Sequence, residues 1–186
     1  MADHFLELYS YFQENETMSY LTIADVTVYG SAWMFARWLT DQYATDESAF
    51  LHALTVDFER TGLANVQNKV GKSFAELNGN FALALAADDY PGFTAPANAR
   101  FTIPSWNVSD VFSGFSRDLR DFIARPLAVH PVQYGDFNVS VSGLRGGGAA
   151  FFELSGAQVA PQLLDLRGPA GTAPPSTLRM AILRVQ

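Results

Sequence analysis

Three histidines, His4, His52 and His130, are the only imidazoles in the chain, and imidazole is the side chain best suited to hold a metal or move a proton near neutral pH. Zinc hydrolysis on a helix needs two His four residues apart, a Glu beside the first as general base, and a third protein ligand. That pattern does not occur, and the three His fall in three separate predicted elements. His4 and Glu7 share a helical face, so a metal site that recruited further acids through folding would have to start from this pair; the same spacing equally describes a surface His beside a carboxylate. A serine nucleophile needs a sharp strand-to-helix turn, yet Gly-x-Ser-x-Gly is absent, and Gly30-Ser31 opens a predicted helix with no His or acid suitably placed beside it. The run from Gly143 to Gly148 has the glycine density of a phosphate loop, but it lacks the Lys-Ser/Thr ending and joins predicted strands, so it reads as a turn. Asp88-Asp89 supplies two carboxylates without others at calcium-loop spacing, which reads as a solvated helix end.

Composition narrows the field further. A net charge of −7, from 19 acidic and 12 basic side chains, and Arg residues scattered along the chain leave no basic stripe for tracking phosphates, which argues against a nucleic-acid partner. Lys69 and Lys72 are the only lysines. Without Cys there are no disulfides and no thiolate ligands, and packing alone must hold the fold. The longest apolar run, residues 81–87, is far short of a membrane span. Residues 1–4 have neither a positive nor an apolar export region, so an export signal is expected only on sequence outside this chain. The hydrophobic fraction of 48% suffices for a core.

The elements that must position these residues divide by period. Residues 3–14 place Phe5, Leu8, Tyr9 and Phe12 on one helical face, and residues 29–43 place Tyr29, Ala32, Trp33, Ala36, Leu39 and Tyr43 on another, with Met34, Phe35 and Trp38 on its flanks. Asp46 predicts an N-cap for a helix through Leu54, Gly71 a stop after residues 62–70, and Ser73 with Glu76 a capping box for a helix through Leu85. Residues 90–125 read as an irregular connector packed on this lobe, with a short helix around 108–115. After Pro126 the period becomes two. Phe137, Val139 and Val141 alternate with polar residues, the glycine run predicts a hairpin into residues 149–154, and residues 162–166 and 178–185 read as further strands. The fold class expected is α+β: a helical lobe over residues 1–89, the connector over 90–125, and a small antiparallel β-sandwich over 126–186.

Residues 29–43, Tyr-Gly-Ser-Ala-Trp-Met-Phe-Ala-Arg-Trp-Leu-Thr-Asp-Gln-Tyr, followed by Asp46-Glu-Ser-Ala-Phe-Leu-His-Ala-Leu54, resemble the helix pair downstream of the zinc site in gluzincin-type metallopeptidases, and most closely those of the hyicolysin-like bacterial family. Thr61-Gly-Leu-Ala-Asn65, Ser73-Phe-Ala-Glu-Leu77, the helix ending Ala84-Leu-Ala-Ala-Asp-Asp89, and Ile103-Pro-Ser-Trp106-Asn107 are similar to the same family's C-terminal lobe in the same order. Leu144-Arg-Gly-Gly-Gly-Ala-Ala150 and the terminal strand resemble it more loosely.

The resemblance implies a secreted bacterial peptidase, extracellular or in the cell envelope, acting on peptide or protein substrates with zinc held by an upstream His-Glu-x-x-His region. This chain would be its non-catalytic C-terminal part, with no metal or cofactor of its own, completing the substrate cleft. It also implies a role for Tyr29: in aminopeptidase-type gluzincins a Tyr before a Gly at a helix start lends its phenol to the tetrahedral intermediate, and Tyr29-Gly30 is similar in placement. The alternative is a core tyrosine with its hydroxyl satisfied by backbone. At the level of the whole chain, the peptidase reading predicts exposed apolar surface on the helices of residues 3–43, where the catalytic region would dock. A free-standing protein- or polysaccharide-binding module predicts instead a closed helical core and a groove on the β domain.

Overall fold

A computed structural model of the chain describes residues 2–21, 27–56, 60–96, 99–118, 122–135, 139–156 and 164–185. The first helix, α1 (Ala2–Gln13), turns Phe5, Leu8, Tyr9 and Phe12 inward as its spacing predicts, and Tyr11 is buried with them. It lies against α2 (Thr27–Tyr43) at an unusually short separation. A Cβ built on Gly30 would fall 2.3 Å from the Leu8 amide nitrogen and 2.5 Å from the His4 carbonyl oxygen, so only glycine allows the two backbones to meet there.

The inward side of α2 differs from the one its period suggested. Val28, Ser31, Met34, Phe35, Trp38 and Leu39 are buried, whereas Ala32, Trp33 and Ala36 are half-buried and Tyr29 is exposed. The helix is apolar over most of its circumference. Periodicity therefore identifies it as a helix without choosing its inner face, and the glycine contact with α1 makes the choice.

Three shorter helices follow with local start and stop signals in place. Asp46 caps α3 (Glu47–Thr55) by accepting the Ala49 N–H at 2.8 Å. Gly71 ends α4 (Gly62–Val70) in the left-handed region, at φ 69°. Ser73 caps α5 (Phe74–Ala87) through the Glu76 N–H. Leu77, Phe81, Ala84 and Leu85 of α5 close the core over Phe35 and Trp38. The aromatic rings there meet mostly edge to face, Phe35 with Phe81 at 5.1 Å and 66° and Tyr20 with Phe81 at 5.6 Å and 87°.

The connector contributes a sixth helix, α6 (Val108–Asp118), whose Val108 and Phe112 are fully buried against the other side of α1. Asp88, at the end of α5, accepts the Val108 and Ser109 N–H groups at 2.8 and 3.2 Å and so caps α6 from a distance. Asp41 holds the loop before it, taking the Ser105 hydroxyl at 2.5 Å and the Ser105 N–H at 3.1 Å while paired with Arg37, which also reaches Glu47 on α3.

The last third corrects the expected architecture. There is no antiparallel β-sandwich among the described residues: β1 (Val129–Gln133) and β2 (Phe151–Ser155) form one parallel pair, with Val129 opposite Phe151 and Gln133 opposite Ser155, and the protein is mainly helical. The expected hairpin through the glycine run does not form either. Residues 145–149 bind the turn that follows α1: the Arg145 N–H donates to the Glu16 carbonyl, the Ala149 N–H to that of Asn15, and the Asn15 side chain returns a bond to the Ala149 carbonyl at 2.7 Å. Gly148 packs so closely that a Cβ would sit 2.8 Å from the Glu16 carbonyl oxygen.

This contact explains the parallel pairing. The segment before β1 is also tied to the end of α1, by the Ala128 N–H on the Phe12 carbonyl, so both strands start from the same place and run the same way. The intervening residues, 134–150, are long enough for a parallel crossover. Of the other expected strands, residues 139–142, 164–166 and 178–185 carry no strand, and residues 137–138 and 162–163 lie outside the described residues. An alternating pattern becomes a strand only where a neighbour supplies the ladder, and here the backbone partner nearest to hand was a helix-end turn.

Candidate functional site

The residues with chemical potential collect at the start of the α1–α2 pair. Gly30 touches the backbone of His4 and Glu7, so Tyr29, one residue earlier, enters α2 beside the first turns of α1. His4 Nδ1 lies 3.2 Å from Glu7 Oε2, and its ring stacks on Trp33 with centroids 5.4 Å apart and planes 16° apart. Phe5 meets both Trp33 and Trp106 edge-on at 5.2 Å, which fixes both indoles on the α1 side. Trp106 arrives from the loop that Asp41 anchors, at 6.3 Å from Trp33.

Tyr29 is 54% exposed. It is therefore not the core tyrosine of the alternative reading, and it stands open to solvent on a helix whose Val28, Ser31, Met34, Phe35, Trp38 and Leu39 are buried. A phenol held this way is a neutral hydrogen-bond donor with a fixed origin, and such a donor stabilises developing negative charge without changing its own charge state.

The other two histidines are placed elsewhere. His130, on β1, pairs with Glu16 and stacks on Phe152 at 5.3 Å, which joins the two-stranded sheet to the end of α1. His52 is exposed in the last turn of α3. Among the described residues no group of three or more His, Asp or Glu side chains is arranged to hold a metal ion, and His4 with Glu7 supplies two donors. The zinc site that the family resemblance implies belongs to the upstream His-Glu-x-x-His region and not to these residues.

In the sequence the His4–Glu7 pair and Tyr29 stand as separate signals; the glycine contact between the helices that carry them, and the arrival of Trp33 and Trp106 at the same corner, are tertiary. The Gly30 signal was present, as a glycine within an apolar helix pattern, where a close backbone approach is the usual reason for one. Asp88 is no solvated helix end: it accepts the first two N–H groups of α6, while Asn107 caps that helix locally by accepting the Asp110 N–H at 2.8 Å. Burial raises the pKa of Asp88, against the opposing effect of the Ser109 and Val108 amides; Asp89 adds to the rise and Arg125 opposes it.

The apolar surface that the peptidase reading expects on the helices of residues 3–43 is sparse among the described residues, which counts against that reading and matches the closed helical core that a free-standing module expects. Leu21 and Tyr29 are the large exposed apolar residues described up to residue 43, whereas Ile123, Val129, Val139, Phe152, Met180 and Ile182 are among those exposed later in the chain. Among the described residues no helix is long and apolar enough to cross a membrane. No protein-family profile, curated protein or solved structure matches the chain.

Proposed function

We propose that this chain is the non-catalytic C-terminal region of a secreted bacterial zinc metallopeptidase, completing the substrate cleft and presenting Tyr29 to the scissile peptide bond. The observation that carries the reading is Tyr29 itself, more than half exposed on the first turn of a helix locked to α1 through Gly30. The likeness of residues 29–54 to the helix pair of gluzincin-type peptidases supports it.

The partner in this reading is a region bearing the His-Glu-x-x-His motif, which holds the zinc and the general base; a peptide or protein is the substrate. What this chain supplies is position and one donor. The hydroxyl of Tyr29 donates a hydrogen bond to the carbonyl oxygen of the substrate as negative charge builds on it, and the indoles of Trp33 and Trp106 keep the neighbouring corner rigid and apolar.

The test is the protein joined to the region that its gene or a neighbouring gene encodes with that motif. Tyr29→Phe is expected to lower kcat about a hundredfold with KM little changed, because the donor acts on charge that develops only in the transition state. An unchanged kcat would remove Tyr29 from the chemistry. The absence of any such motif-bearing region from the gene and its neighbours would overturn the peptidase reading altogether.

A further inference from the structure

The two-stranded sheet is unfinished on one side. Parallel strands are ordinarily covered on both faces, and a pair alone is marginal in water, yet Phe152 and Leu154 of β2 are 40% and 37% exposed. β1 contains Pro131, which has no amide hydrogen and confines its strand to an edge. β2 has no proline, and among the described residues no strand lies on its outer side.

The same chain displays a strand-like sequence with nothing to pair with. Residues 178–185, Leu-Arg-Met-Ala-Ile-Leu-Arg-Val, take no secondary structure, and Ile182 is 69% exposed and Met180 48%. The segment rests loosely on its own helical lobe. Between Arg179 and Met180 and the outer side of α5, at Glu76, Gly79 and Leu83, an open space of about 350 Å³ remains, far from the close packing of an interior.

We propose that residues 178–185 of a second copy of this chain add as a strand to the outer edge of β2, and that the exchange is reciprocal. The two patterns fit face by face. With Ala181 opposite Glu153, Met180 and Ile182 fall opposite Phe152 and Leu154 on one face, in either strand direction. On the other face Arg179 stands diagonal to Glu153, within reach of a long side chain. A β2 edge set against its own copy would instead bring the two Glu153 carboxylates towards each other. Each chain's own segment lies along α5 and leaves that surface in order to pair; reciprocal exchange between two copies then closes a twofold dimer in which both edges are covered.

The absence of Cys makes the test direct. Leu154→Cys protein is mixed with Met180→Cys or Ile182→Cys protein under mild oxidation. A disulfide-linked pair is expected to form in one of these mixtures about tenfold faster than in any variant alone, because pairing raises the effective thiol concentration. The unmodified chain should show twice its 20.4 kDa mass by light scattering, and Ile182→Asp should return it to the single mass with its helical circular dichroism intact. A single mass for the unmodified chain, or mixed disulfides forming no faster than those of the separate variants, would overturn the proposal. So would an intrachain disulfide that displaces the mixed one in the variant carrying both cysteines.

Discussion

Asp88 and Tyr29 show opposite ways in which one side chain can be committed. Asp88 is half-buried, and its carboxylate serves the first amides of α6 at the cost of losing water. Its raised pKa means that the folded state binds a proton more tightly than the unfolded chain does. Stability from this group is therefore fully present below the unfolded value and lost as pH rises through the folded one. Asp88→Asn keeps an acceptor oxygen without the charge; it is expected to be neutral to slightly stabilising at pH 7 and to flatten the stability curve just above the ordinary carboxylate range. Asp88→Ala removes the acceptor of the Val108 and Ser109 N–H groups, leaving the Asn107 cap in place, and should cost about 1 kcal/mol. Urea unfolding across pH measures both, and an asparagine variant as unstable as the alanine one would contradict the assignment. Asp46 and Ser73, which cap helices three residues away, were legible in the sequence because the cap is local. Asp88 was not, because its helix begins twenty residues later and only folding brings the two together. Tyr29 is committed to nothing within the described core, so in the proposed function its type and position would matter more to activity than to stability.

At the scale of elements, the crossing of α1 and α2 determines what the corner around His4 and Trp33 looks like. Gly30→Ala would drive a methyl group into the Leu8 amide and the His4 carbonyl, both of them backbone atoms that cannot swing aside. The two helices would have to part, at a cost of about 3 kcal/mol and a fall in Tm of roughly 10 °C for a chain of this size. A thermal scan showing less than about 2 °C of change would mean that the close approach is not a real constraint. The helices themselves were legible, since period, caps and the Gly71 stop all act within a few residues of one another. The inner face of α2 was not, because an apolar stripe on each side leaves the choice to a tertiary contact. The strands failed for a related reason. Residues 137–142 and 178–185 alternate as strands do, but alternation describes a surface and says nothing about whether a partner strand is nearby. Residues 143–148, read as a hairpin turn, are instead held by the carbonyls of the turn after α1.

For the molecule as a whole, a core of interlocking aromatic rings spans α1, α2, α5 and α6, and a sparsely covered last third carries most of the exposed apolar side chains. Net charge and the scatter of arginines argue against a phosphate-tracking surface. The placement of the exposed apolar residues could not be read from the sequence, because it depends on which strands fail to find partners. In the two proposals it also divides the molecule's tasks: the well-packed helical part would present Tyr29, and the open part would offer an edge to a second copy. The central claim is that the chain shapes a zinc peptidase site without containing one. The most direct measurement is bound zinc by elemental analysis together with chelator-sensitive cleavage of a generic protein substrate, made on the chain alone and on the chain joined to its motif-bearing region. The account predicts neither zinc nor cleavage for the chain alone and both for the joined protein. Stoichiometric zinc with chelator-sensitive cleavage from the chain alone would contradict it, and would mean that His4, His52 or His130 belongs to a metal site assembled by the fold.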